Sequence, residues 1–219
     1  MAVELPLFPL RTVLFPGMVL PLQIFEHRYR VMLEELLERG GEFGVLLIRE
    51  GPEVGGEAVT YEVGTTARFD EVEESADGRY LVTVRGRRRF RLLERLPSAP
   101  YPRGLVEFVD EPAYRPTPAS AAAEARLRAG FPRYFAMALA LTGQWSQPLK
   151  LPEDPARLAD FLVPWLQLDE EAQQRLLELI DPGERLIAVA AVVDELVART
   201  ARDLEEQRRT KFRGLGADN

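Results

Sequence analysis

Cysteine is absent from the 219 residues, and histidine occurs once, as His27. Disulfides, thiolate metal centres and cysteine nucleophiles are excluded together. A histidine-rich metal site goes with them, while carboxylate sites stay open. Lysine occurs only as Lys150 and Lys211. A phosphate-binding loop needs G-x-x-x-x-G-K-[ST], and neither lysine follows a glycine. The serines are Ser75, Ser98, Ser120 and Ser146, all in expected loops or linkers. No activating base is identifiable beside any of them, including Ser98 in Pro97-Ser-Ala-Pro100. No run reaches the roughly eighteen apolar residues of a membrane-spanning helix, and the start lacks the basic-then-apolar pattern of a signal peptide. The expectation is a cytoplasmic protein with no cofactor and no metal that hydrolyses neither ATP nor peptide by itself.

What is present is apolar residues, arginine and proline. The chain is 46% hydrophobic, with 17 prolines and a net charge of −7. That is enough apolar mass for one large domain or two small ones. The acidic balance discourages general nucleic-acid binding.

The stretch Leu5 to Leu37 organises the rest. It reads as an apolar strand, a turn at Phe15-Pro16-Gly17-Met18, and a second apolar run to Phe25. Pro6, Pro9, Pro16 and Pro21 punctuate it. Proline has no N–H and belongs at strand edges, starts and turns, so a pair of short kinked strands is expected and not a long hairpin. From Glu26 on, Tyr29, Met32, Leu33, Leu36 and Leu37 recur at helical spacing, and Gly40 and Gly41 end the helix.

Further strands are expected over Phe43–Ile48, Thr60–Val72, Arg79–Leu93 and Gly104–Asp110, with a turn at Asp77-Gly78. A three-residue turn would set Val72 opposite Val82 and align the apolar faces; a two-residue turn would misalign them, so the longer turn with a bulge is preferred. The proline-rich Glu111–Ser120 reads as a linker. Beyond it everything is helical. Ala119–Leu141 should be kinked or split by Pro132 after Gly130. Asp154-Pro155 and Asp169 begin helices, Pro164 ends or bends one, and Asp181-Pro182-Gly183-Glu184 opens a last long helix to about Phe212. Its stripe is Leu186, Val189, Val193, Leu196, Val197 and Leu204. The domains expected are residues 1–112, β-rich, and 113–219, helical.

The motif LPLFPL…VLFPG…LPLQIFEHRY resembles the opening of the Lon N-terminal family, the substrate-binding domain of the ATP-dependent protease Lon, and looks closest to the stand-alone form in which that domain occurs without the ATPase and protease. Val63-Gly-Thr-Thr-Ala-Arg68, Val84-Arg-Gly-Arg-Arg-Arg-Phe-Arg91, Asp154-Pro-Ala-Arg-Leu-Ala-Asp160 and Asp181-Pro-Gly-Glu-Arg-Leu186 extend the resemblance over roughly residues 3–212. It implies an α+β fold: a small β-barrel-like domain of the PUA-like type with one helix, then a helical bundle ending in a long helix. It also implies recognition of unfolded or damaged polypeptide, and no catalysis. The candidate polypeptide-binding residues are Phe15, Met18, Leu22, Phe25 and Trp145. Phe8, Phe15, Met18, Leu22, Ile24 and Phe25 are too many large apolar groups for a solvent-facing strand pair, so most belong to a core, with Phe15 and Met18 at the turn the ones expected to touch a client. Trp145 sits in a Gly-Gln-Trp-Ser-Gln-Pro loop and is a partner-contact candidate; Trp165 is expected in the core. His27 reads as a surface or packing residue, with no nucleophile near it.

Arg85, Arg87, Arg88, Arg89 and Arg91 crowd one strand and define the alternative, an RNA-binding surface. Against it, Asp70, Glu71, Glu73 and Glu74 lie on the partner arm, and the segment through Pro112 has nineteen acidic against fourteen basic residues. The partners expected are unfolded polypeptides and a separate protease, with no membrane and no nucleic acid. The long last helix exceeds what a small bundle covers and could pack on a second copy, giving a homodimer.

Overall fold

The elements follow the hydrophobic pattern closely. The computed structural model describes residues 1–76, 78–97, 100–144 and 149–215, with the backbone alone at 208 and 210–215. In chain order they are β1 (Ala2–Leu10), β2 (Val19–Ile24), α1 (His27–Arg39), β3 (Phe43–Glu50), β4 (Val59–Thr60), β5 (Val63–Glu74), β6 (Tyr80–Leu96), β7 (Arg103–Phe108), α2 (Pro118–Leu141), α3 (Pro155–Leu162), a 3₁₀ turn (Val163–Trp165), α4 (Glu170–Leu177) and α5 (Pro182–Leu215). The fold is α+β, sheet first and helices after, as the motifs imply.

The chain sorts into two compact units. The first is Met1–Glu111 together with Leu168–Ile180; the second is Pro112–Gln167 together with Asp181 onward. In the first, β1 pairs with β7, β7 with β6, β6 with β5 and β5 with β3, and a parallel pairing of β3 with β1 closes the ring. Closure removes free edges from those five strands. β1 and β2 do not pair with each other: β2 lies alongside the first half of β6. The long β6 and β5 extend beyond the ring, and with β2 they form a three-stranded arm.

The arm has its register from alternation. Val72 lies opposite Val82, and Ser75 and Arg79 close a three-residue loop through Ser75 N–H···O=C Arg79 at 2.8 Å. Asp77, expected in this turn, lies outside the described residues. A register shift between Phe69 and Glu71 adds Asp70 as an extra residue on β5. Phe8, Leu14, Ile24, Tyr29, Met32, Leu33, Phe43, Val82 and Val84 form the main core under α1, with Met18, Leu20 and Leu22 packed against it and half-buried.

Helix α4 comes from the helical part of the sequence but packs in the first unit, and buried polar groups hold it there. Arg89 of β6 has no exposed surface. Its Nε donates to the Leu177 carbonyl at 2.8 Å and a terminal nitrogen to Glu111 Oε1 at 2.6 Å. The Gln174 amide donates to the Val63 carbonyl at 2.9 Å. A planar, always-charged guanidinium suits the last carbonyls of a helix.

In the second unit, aspartates cap as their positions imply. Asp154 accepts from Ala156 N–H at 3.0 Å, and Asp181 accepts from Gly183 and Glu184 N–H at 2.8 and 2.9 Å. The split expected at Pro132 does not occur: α2 runs through it. Pro132 is exposed, so the single backbone bond it forfeits is lost at the solvent face, where water replaces it. Helices α2 and α5 pack along each other around Leu127, Phe131, Val189 and Val193, and Arg185 and Asp160 form a buried pair at 3.0 Å.

Candidate functional site

The arm around β2 is the distinctive surface of the first unit. Its position is set by the turn before it. Met18 N–H bonds to the Phe15 carbonyl at 3.0 Å, and Gly17 adopts φ +82°, which a side chain would resist. Gly17 N–H bonds to the Gly86 carbonyl and Gly86 N–H to the Met18 carbonyl, both at 2.9 Å. A Cβ at position 86 would meet the Phe15 carbonyl oxygen at 2.2 Å. The turn is therefore seated directly on a backbone that only glycine leaves open.

The bond from Gly86 to Met18 also fixes the phase of the ladder. Met18 and Gly86 are a hydrogen-bonded pair, so Leu20, Leu22 and Ile24 turn their backbone groups to β6, and Val19, Pro21 and Gln23 turn theirs away from it. Among the described residues, β2 has a partner strand on one side only. The outward row presents the N–H and C=O of Val19 and Gln23 and the lone C=O of Pro21. Pro21 thus sits where its missing N–H costs no ladder bond and blunts an open edge.

The side chains follow the same period. Leu20, Leu22 and Ile24 face the core. Val19, Pro21 and Gln23 lie on the outer face, beside Arg85, Thr83 and Leu81 of β6. Val19 is 45%, Leu81 49% and Phe25 48% exposed. Val19 stands on the outer face of β2 and Leu81 on that of β6, Phe25 follows β2 directly, and Met18, Leu20 and Leu22 are half-buried on the core side. Exposed apolar groups beside a strand edge with no partner among the described residues are the kind of surface that marks a docking site.

Of the residues singled out from sequence, Leu22 lies on β2, with Met18 just before it and Phe25 just after it. Phe15 does not lie at this edge: it is fully buried, because the turn it opens is seated on Gly86 through Gly17 and Met18 and its ring goes inside with that turn. Trp145, Ser98 and Ser146 lie outside the described residues. Trp165, expected in the core, is 46% exposed and meets Phe135 edge-on at 5.6 Å, because the 3₁₀ turn at Pro164 swings it out of the helical face that buries Leu158 and Leu162. Val19 and Leu81 were not singled out. The signal for both is an apolar residue in the polar phase of an alternating strand.

The five arginines from Arg85 to Arg91 on β6 do not form a continuous basic strip. Arg85 is held by Asp70 at 2.8 Å, Arg88 lies 3.8 Å from Glu42 with its guanidinium 3.4 Å from the Phe108 ring centroid, and Arg91 lies 3.6 Å from Glu62. Arg89 is the buried anchor of α4. Arg87 is exposed. Carboxylates thus take up charge that a phosphate backbone would need.

Burial pushes the Tyr29 hydroxyl up to about 12, and Tyr101, raised by burial and then by its bond to Glu35 at 2.9 Å, titrates above its ordinary range. Both stay neutral and belong to packing. His27 is exposed. Among the described residues, no three His, Asp or Glu side chains are grouped to hold a metal ion, and no helix is long and apolar enough to cross a membrane. A small polar cleft of about 160 Å³ in the first unit is lined by Arg11, Arg49, Tyr61, Glu170 and Glu171 with apolar neighbours. Arg11 there is committed to the Gly51 carbonyl at 2.7 Å.

The ATP-dependent protease La (LON) substrate-binding domain family matches residues 4–195. The chain is 27% identical over 195 residues to a Lon protease of Syntrophus aciditrophicus, covering 87% of this chain and 25% of that protein. It is 30% identical over 195 residues to Lon protease 1 of Thermus thermophilus, covering 87% and 24%. The chain therefore spans about a quarter of the length of the curated relatives it matches. Among solved structures, it resembles a Lon N-terminal domain protein from Xanthomonas campestris with a TM-score of 0.65 and 27% identity, covering 86% of this chain and 98% of that one. The N-terminal domain of Mycobacterium avium complex Lon protease shares the fold, with a TM-score of 0.59 and 22% identity over 90% of this chain and 98% of that one.

Proposed function

The chain belongs to the family of LON substrate-binding domains, and on that premise we propose that it is a non-catalytic polypeptide-binding protein that takes unfolded or damaged segments along the open edge of β2. The observation that carries this reading is an apolar strand that, among the described residues, is partnered on one side only, with Val19, Phe25 and Leu81 exposed on or near it. An extended segment laid along β2 gains backbone bonds at Val19 and Gln23 and one at the Pro21 carbonyl. Its side chains cover Met18, Leu22 and Phe25. Backbone bonding is blind to sequence, so binding is broad and weak per site, as suits clients that share only exposed apolar chain.

Within this reading, residues 1–112 are the binding half and 113–219 the helical half. The protein works in the cytoplasm, and a separate protease receives the client. A second copy packing along α5 is the remaining element. Beyond Thr200 the described side chains of α5 are mostly exposed charges, with Leu204 half-buried, so the α5 contact is narrow and light scattering at rising concentration checks it.

The test is fluorescence anisotropy of a labelled, permanently unfolded protein titrated with the full chain at low and high salt. Saturable binding that survives high salt, and that weakens in Phe25→Ser and Leu22→Ser, supports the proposal. A flat titration at both salts overturns it. Binding of RNA with a steep salt dependence, lost on replacing Arg87 and Arg91, would favour the nucleic-acid reading instead.

A further inference from the structure

The outer face of the arm is not uniformly apolar, and its charges are sorted by row. Across the three strands the rows are Val19–Arg85–Arg68, Pro21–Thr83–Glu71 and Gln23–Leu81–Glu73. In the first row Arg85 is neutralised by Asp70 of the bulge, through two nitrogens at 2.8 Å. In the other two rows Glu71 and Glu73 are exposed, and neither forms an ion pair with a described residue. Two free carboxylates therefore stand beside the exposed Leu81, on the same face as Val19 and Pro21.

We propose that this face selects among unfolded segments, preferring extended stretches whose apolar residues are interspersed with lysine or arginine and rejecting acidic ones. The inference rests on the binding edge proposed above. A strand added along β2 lies about 14 Å from β5, three strand spacings of roughly 4.8 Å. Its outward side chains point over Pro21 and Thr83, which are low. Lysine and arginine carry a positive charge on a stem that spans about half of that gap, and they lay the stem along apolar surface as they do so. Glu71 and Glu73 reach back from the far side. The match is a rim interaction in partly wet surroundings, so it discriminates more than it binds. The acidic balance of the same segment adds long-range attraction of the same sign.

The test uses the full chain and three short labelled peptides with identical apolar residues at alternate positions and Lys, Gln or Glu between them. At low salt the lysine peptide binds tighter than the glutamine peptide, and the glutamate peptide weaker, by about two- to fivefold per engaged carboxylate. High salt narrows the three towards one another. Glu71→Lys with Glu73→Lys keeps its thermal midpoint, because both side chains are exposed and unpaired, and reverses the order. Three peptides that bind equally at low salt, or an order unchanged in the double variant, overturn the selectivity while leaving the binding edge standing. No binding by any of the three overturns both.

Discussion

Gly86→Ala tests the seating of β2 with a single methyl group. Gly86 does not have a positive φ, so alanine brings no backbone strain of its own. The added Cβ would stand 2.2 Å from the Phe15 carbonyl oxygen and 3.0 Å from its carbon. Neither is a flexible side-chain tip, so the turn must move about 1 Å away. Moving it breaks or stretches the two 2.9 Å bonds that join Gly17 and Met18 to Gly86. At about 1 kcal/mol each these contribute about 2 kcal/mol. Displacing a packed segment over a buried Phe15 costs about another 1–2 kcal/mol. The expected loss is about 3–4 kcal/mol in urea unfolding, with faster amide exchange at Leu20 and Leu22. Gly17→Ala is the control. It has φ +82° but open space around its Cβ, so only the backbone term remains, about 1–2 kcal/mol. A Gly86→Ala variant within about 0.5 kcal/mol of the parent would refute the argument that the turn sits on this glycine.

Arg89→Met removes the buried guanidinium and leaves the Leu177 carbonyl and Glu111 without it. With Glu111 29% exposed and able to rehydrate, a loss of about 2–4 kcal/mol is expected, and hydrogen exchange should show α4 opening first. Asp181→Ala deletes the cap of α5 and should cost about 1 kcal/mol in the same unfolding assay. Tyr29 provides a pH signature. Its hydroxyl is raised from the ordinary 10.0 to about 12 by burial, so the folded state prefers the proton. That stability is fully present below pH 10 and is lost as pH rises through 12, by about 3 kcal/mol. Tyr29→Phe should flatten the alkaline fall of stability over that window, and an unchanged slope would contradict the assignment.

Local chemistry was legible where neighbours in sequence decide it. The pairing of Val72 with Val82 follows from alternation and loop length, because a one-residue slip would turn every apolar side chain to water. Asp154, Asp169 and Asp181 announce their helices, and Gly17 its turn. What could not be read depends on partners far away in the chain. The anchoring of α4 on the first unit runs through Arg89 to Leu177 and Gln174 to Val63, 88 and 111 residues apart. Phe15 looked like a turn-tip residue, and turn tips are ordinarily exposed; the close approach of Gly86 draws it inside. The opposite error arose at Trp165, expected in the core although the proline before it turns it outward. At the candidate edge, Met18, Leu22 and Phe25 were singled out for their apolar excess, and they lie on or next to β2. Val19 and Leu81 carry a weaker signal, an apolar residue in the polar phase of an alternating strand, and the β2–β6 register is what sets them on one face.

The central claim is that client chain pairs with the open side of β2, and residue-resolved amide exchange with and without an unfolded client tests it most directly. The amides of Val19 and Gln23 point away from β6 and should gain protection on client binding, while those of Leu20 and Leu22, already bonded to β6, should change little. Protection that appears without Val19 and Gln23, whether on the exposed arginines of β6 or around Trp165, would contradict the account.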